Sequence, residues 1–121
     1  MTARRQALVS AIARLREVLN QPETDVVRDA AIQRFEFCFE LAWKLIQERA
    51  REEGLDCQSP KGCLQVAFNA SWIEDEQGRL AMLGDRNQTS HTYDEDLAKA
   101  DYRRLGNYLP LLDALANRVG Q

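Results

Sequence analysis

The chain has 121 residues, 45% of them hydrophobic and 29% charged, with a net charge of −3 and a pI near 5.2. That length predicts one domain, spanning residues 1–121, able to bury a core without metal or disulfide support. The acidic balance removes any global argument for nucleic-acid binding and leaves room only for a local basic pocket.

In the N-terminal "MTARRQALVSAIARL", Arg14 and Arg16 break up the apolar run that begins the chain. The segment therefore reads as an amphipathic helix and not as a signal peptide. Leu8, Ile12, Leu15 and Leu19 repeat at helical spacing, and Asn20-Gln21-Pro22 ends the helix. Thr24 or Asp25 then offers a side-chain oxygen to cap a second helix. In "AAIQRFEFCFELAWKLIQERA" the apolar residues, Phe37 and Trp43 among them, go most of the way round. Only Glu36, Glu40, Lys44 and Gln47 interrupt, on one narrow stripe. A helix so nearly apolar all round must be covered on several sides, as the centre of a bundle or as a bundle helix that also serves an oligomer interface. Glu40 and Lys44 have the favourable i,i+4 orientation, which favours a structural role for Glu40.

Gly54 stops that helix, and Ser59-Pro60 starts a short one that fades after Phe68. "GRLAMLGDRNQTSH" gives a fourth, with Leu80 and Leu83 as its apolar side. Asp94 caps a last helix carrying Leu97, Ala98, Tyr102, Leu105 and Leu109, which Gly106 and Pro110 should kink or divide. No strand pattern appears. The expected architecture is all-α, an up-and-down helical bundle of four to five helices. No apolar run approaches the roughly 20 residues of a membrane span. Cys38, Cys57 and Cys63 form an odd set without a CxxC pair, and one histidine cannot complete a Cys/His zinc site. Neither a metal nor a cofactor is expected; Cys38 reads as a small core residue, and a reducing cytoplasm suits the set best.

Chemistry concentrates in "DRNQTSHTYDED", residues 85–96. Arg86 can hold a phosphate bidentately, His91 titrates near neutral pH, and Asn87 and Ser90 can orient either group. Such a set suffices in principle for phosphodiester cleavage by a 2′-hydroxyl without a metal. On one straight helix, however, Arg86 and His91 stand about 140° apart at 100° per residue. Convergence needs the helix to end near Ser90, or a second subunit. The residue types alone leave a second reading open, a polar loop that merely caps helices. Elsewhere Trp43 reads as core, Trp72 as a surface anchor or a bundle-end plug, and Arg103-Arg104 as a solvated face or a local phosphate contact.

Three stretches are more specific. "RFEFCFELAWKLIQ" (residues 34–47), "SPKGCLQVAFNASWIED" (59–75) and "MLGDRNQTSHTYDE" (82–95) resemble the nucleotidyltransferase substrate-binding protein family, a branch of the HEPN superfamily of helical bundles. The resemblance runs to "YLPLL" at residues 108–112. It implies a homodimeric HEPN-like bundle that partners a separate minimal nucleotidyltransferase and binds its nucleotide or substrate. The G-S and D-x-D signature of such a transferase is missing, so the chain should not be the transferase itself. The resemblance also implies a second role, since relatives include metal-independent ribonucleases with an R-x4-H motif that act as toxins. Here Arg86, His91 and Tyr93 complete R-x4-H-x-Y, with Asn87 as the polar residue after the arginine. Carried over, Arg86 would stabilise the scissile phosphate of RNA and His91 would be the acid/base. The partner would silence the nuclease by attaching AMP to Tyr93, and a dimer would bring two such motifs together. Whether Glu36 or Glu40 faces that cleft is not decided by the spacing.

Overall fold

Chain order and local capping explain most of the helix boundaries. In the computed structural model, which describes residues 3–89 and 93–119, the elements are α1 (Ala3–Leu19), α2 (Asp25–Glu52), α3 (Pro60–Asn69), α4 (Glu76–Gln88), α5 (Glu95–Leu105) and α6 (Leu109–Val119), with a 3₁₀ turn, Gly106–Tyr108, joining the last two. Among the described residues there is no strand. The fold is the expected all-α bundle, of five helices if α5 and α6 are taken as one helix divided at Gly106. Thr24, Ser59 and Asp94 cap α2, α3 and α5 by accepting from the amides of Val27, Gly62, and Asp96 with Leu97. These bonds satisfy donors that a helix start leaves without partners. Gly54 adopts φ +75°, the left-handed conformation that ends α2 without a Cβ clash.

At 28 residues, α2 is about 42 Å long and packs against α1, α3, α5 and α6. It buries Ala31, Ile32, Phe35, Cys38, Phe39, Ala42, Leu45, Ile46 and Ala50, meeting Leu8, Ile12, Leu15 and Val18 of α1 within one core. Phe35 lies against Tyr108, ring centroids 5.6 Å apart. Covering α2 from several sides is how the bundle satisfies its wide apolar surface.

Phe37 is 55% exposed on α2, and Trp43 is half-buried and packs against the core. Other expectations are corrected. Leu80 and Leu97 stand outward, because α4 turns Arg79, Met82 and Asp85 inward, and α5 turns Ala98, Asp101 and Leu105. Trp72 proves to be buried at a bundle end, under the Arg49 guanidinium at 5.3 Å. Cys57 and Cys63, expected as thiols, form a disulfide. The loop after Gly54 brings Cys57 onto the first turn of α3, and Gln47 of α2 donates to the Cys57 carbonyl at 2.8 Å. Cys38 is buried and free, and burial pushes its thiol up to about 12. No helix of the described residues is long and apolar enough to cross a membrane.

Candidate functional site

The site is built on the last turn of α4, whose start is set by Asp75. The Asp75 carboxylate accepts from the Gly78 amide at 2.8 Å, and a Cβ at position 78 would meet that carboxylate in its present rotamer, so a larger residue there would make the Asp75 side chain shift. Arg79 then packs its guanidinium on the Phe68 ring at 4.6 Å and reaches Gln65 at 3.4 Å, tying α4 to α3. Gly84 adds no side chain. The helix ends at Gln88, and the Thr89 hydroxyl donates to the Arg86 carbonyl at 2.7 Å.

Arg86 points to α2. Its Nη2 donates to Glu40 Oε1 at 2.8 Å, its Nη1 approaches Asn87 Oδ1 at 3.4 Å, and its guanidinium lies 5.3 Å from the Phe39 ring centroid. An aromatic face and a carboxylate together fix the plane of the guanidinium while leaving other N–H groups for a ligand. Glu40 is itself held, since Trp43 Nε1 donates to Oε2 at 3.1 Å and Lys44 Nζ stands 3.7 Å away. The structural role expected for Glu40 is therefore joined by a second one: it orients Arg86. In front of Arg86 opens a cavity of about 310 Å³, lined by Glu36, Glu40, Arg86, Asn87 and Thr89. Glu36 also lines a neighbouring hollow of about 510 Å³ with Asp29, Ile32, Gln33 and Tyr93. Tyr93 is 84% exposed there. Arg86, Asn87 and Tyr93 thus lie along one acidic-walled surface bridged by Glu36. Ser90 and His91, the other two expected site residues, lie outside the described residues.

Behind Arg86 sits a cluster that the sequence did not reveal. Asp85 faces the other way, accepting from Arg104 Nε at 2.9 Å and Nη2 at 2.8 Å and from the Tyr108 hydroxyl. Arg104 Nη2 also donates to Asp101 at 2.7 Å. Asp101 is 1% exposed, and among the described residues its Oδ2 has no hydrogen-bond partner. Burial, with the nearby Asp85 charge, raises the Asp101 carboxyl above its ordinary value. Burial and the bond to Asp85 likewise raise the Tyr108 phenol, and the Asp85 bond raises Arg104. Arg103 is exposed, as a solvated face would be, whereas Arg104, partly exposed, is tied to Asp85 and Asp101. The signal for this cluster was present only as polar residues on the inward side of α4 and α5.

Among the described residues no group of three or more His, Cys, Asp or Glu could hold a metal ion. Arginine has no proton to exchange at neutral pH, so the chemistry open to Arg86 alone is to bind and polarise an anionic oxygen.

The chain is thus an all-α helical bundle in which Glu40 of the central helix holds an arginine of α4 beside an open cavity. The chain belongs to the family described as nucleotidyltransferase substrate binding protein like, whose match covers residues 3–121. It is 42% identical to a Thermus thermophilus protein of known structure, with a TM-score of 0.86 over 94% of this chain and 99% of that one. A Haemophilus influenzae protein, described as having the fold of a substrate binding domain of a nucleotidyltransferase, superposes with a TM-score of 0.85. It is 26% identical over 97% of this chain and 99% of that chain. The probable ribonuclease HepT of Haemophilus influenzae is 31% identical over 90 residues, covering 70% of this chain and 62% of that protein. The match to this curated relative therefore spans less than two thirds of its length.

Proposed function

We propose that the chain is a single-domain, nucleotide- or substrate-binding subunit that pairs with a minimal nucleotidyltransferase. The observation that carries this reading is the Arg86 guanidinium, fixed between Phe39 and Glu40 at the mouth of the 310 Å³ cavity with Asn87 beside it. Arg86 takes a phosphate with Asn87 beside it; Ser90 and His91, outside the described residues, are assigned to the same site on the sequence motif alone. The two carboxylates on the wall, Glu36 and Glu40, keep the site from holding small anions indiscriminately and suit a ligand that also offers N–H or O–H donors. The family membership supports the nucleotidyltransferase pairing, and the description of the Haemophilus bundle agrees with it. A homodimer suits the exposed Phe37, which lies on a groove of about 470 Å³ between α1 and α2 where Ala7, Ala11, Ala30 and Leu41 are mixed with polar residues, Arg14 and Arg34 among them.

A ribonuclease toxin is the second reading, favoured by the R-x4-H-x-Y pattern together with the likeness to HepT. In that reaction a ribose 2′-hydroxyl attacks the adjacent phosphorus, His91 takes its proton, and the 5′-oxygen leaves with a proton returned. Arg86 stabilises the extra negative charge on phosphorus. Silencing follows when the Tyr93 oxygen attacks the α-phosphorus of ATP, forming the AMP ester and releasing pyrophosphate while its proton passes to water. The 84% exposure of Tyr93 suits access by a partner enzyme.

Co-expression with a minimal nucleotidyltransferase from the same genome tests the first reading: the two should co-purify, and AMP should bind the bundle through Arg86. Expressing the chain alone tests the second. RNA decay and growth arrest that His91→Ala relieves would establish the nuclease. If Arg86→Ala, His91→Ala and Tyr93→Phe change neither partner binding, AMP binding, RNA cleavage nor AMP labelling, both readings fail.

A further inference from the structure

We propose that Asp85 is a positioning residue for Arg86: clamped by Arg104 and Tyr108, it sets the angle at which the last turn of α4 presents the guanidinium to the cavity. This inference rests on the reading of that cavity as the ligand site. Successive helical residues point about 100° apart, so neighbouring side chains can take opposite assignments. Asp85 reaches α5 and the 3₁₀ turn, while Arg86 reaches α2.

What makes the clamp more than a surface bond is how little else holds α4. Of its three buried side chains, Arg79, Met82 and Asp85, only Met82 is apolar. Leu83 is partly buried against the same core, but apolar contacts are non-directional and tolerate sliding or rotation, so Met82 and Leu83 by themselves do not define the roll of the helix. Arg79 fixes the beginning of α4 on α3, and beyond Met82 the exposed Gly84 contributes no packing. The end of the helix is then held on one side by the two-pronged Arg104–Asp85 contact and the Tyr108 hydroxyl, and on the other by the half-exposed Arg86–Glu40 bond. A guanidinium about 6 Å from the helix axis moves about 1 Å for every 10° of roll. Displacements of that size are enough to cost a binding or catalytic site about a hundredfold.

The cluster is a poor choice if stability were its only contribution. Asp85 and Asp101 share one arginine, and one oxygen of Asp101 is buried without a partner among the described residues. Buried ionic groups of this kind typically give no more stability than well-packed apolar residues of similar volume. What they supply is direction, because a bidentate guanidinium–carboxylate contact fixes both distance and plane.

Calorimetric titration with AMP, alongside thermal unfolding, separates positioning from stability. The panel is wild type, Asp85→Asn, Tyr108→Phe, Arg104→Lys, Arg86→Ala, the double variant Asp85→Asn/Arg86→Ala, and Leu8→Ala, which weakens the remote α1 core. Well below the melting temperature of each, Asp85→Asn should bind AMP at least tenfold more weakly than wild type. Leu8→Ala should melt earlier yet keep wild-type affinity. The double variant should bind no more weakly than Arg86→Ala alone, because a misplaced side chain that is absent cannot be misplaced further. Should Asp85→Asn fail to fold, Arg104→Lys and Tyr108→Phe carry the same test, each expected to weaken AMP binding several-fold. Wild-type affinity in the clamp variants, with Arg86→Ala weakened, overturns the positioning role and leaves the ligand site standing. Additive losses in the double variant also overturn it. Unchanged affinity in Arg86→Ala, or no AMP binding by the wild type, removes the ligand site and the positioning role together.

Discussion

Two arginine–carboxylate pairs flank the end of α4 and differ mainly in where their carboxylates sit. Arg86 and Arg104 have similar side-chain exposure, 34% and 42%, but Glu40 is 39% exposed whereas Asp85 and Asp101 are 11% and 2% exposed. The Glu40 pair opens onto a cavity and stays hydrated, so its Coulomb energy is weak and its geometry is available to a ligand. The Asp85 pair is closed in by Tyr108, so breaking it strands charge and hydroxyl groups that water cannot fully recover. Two arginine–carboxylate pairs of the same chemistry, one hydrated and one closed in, thus lie on opposite sides of the last turn of α4.

The largest expected difference between them is in stability. Asp85→Ala should lower the unfolding free energy by about 2–3 kcal/mol, the scale for stranding buried partners of a half-exposed arginine. Equal losses for Asp85→Ala and Glu40→Ala in denaturant titrations would erase the distinction. A site remote from both gives an internal scale. Reducing the Cys57–Cys63 bond, which joins residues 6 apart in the chain, should cost about 2 kcal/mol by loop entropy. That loss should leave AMP affinity untouched; a reductant that lowered both would link the α2–α3 loop to the site.

The pH dependence sharpens the contrast further. Asp101 has its folded value raised above the ordinary 3.8, so the native state holds this proton more tightly than the unfolded chain. Its contribution to stability is present near and below pH 3.8 and is lost as pH rises through the raised folded value. Relative to wild type, Asp101→Asn should lack that decline, measured as unfolding free energy between pH 4 and 7. A wild-type profile parallel to that of the variant would contradict it. The smallest stability effect is expected for Glu40→Gln, below about 1 kcal/mol for a hydrated pair. Its AMP affinity should nevertheless change, since Arg86 loses its charged anchor.

Much of this frame is visible in the amino-acid order, and the reasons are local. Thr24, Ser59 and Asp94 announce helix starts through their side-chain oxygens, Gly54 announces a stop, and the saturation of α2 with apolar residues announces its central place. Arg86, Asn87 and Tyr93 could be picked out because the motif is short and contiguous. What stayed hidden depends on contacts distant along the chain. Glu40 meets Arg86 across 46 positions, and Asp85 meets Arg104 across 19. Periodicity marks which residues are apolar, not which polar residue finds a partner. It therefore favoured Leu80 over Arg79 for the inner face of α4, although Arg79 buries well against the Phe68 ring. The Cys57–Cys63 bond escaped for a related reason, since its formation depends on how the loop folds back onto α3.

The most direct test of the account is a calorimetric titration of AMP into the wild-type chain and into Arg86→Ala under identical salt and pH. The account predicts saturable binding by the wild type and at least a tenfold loss in the variant, with both proteins equally folded. Equal affinities, or heat that does not saturate in the wild type, would contradict it.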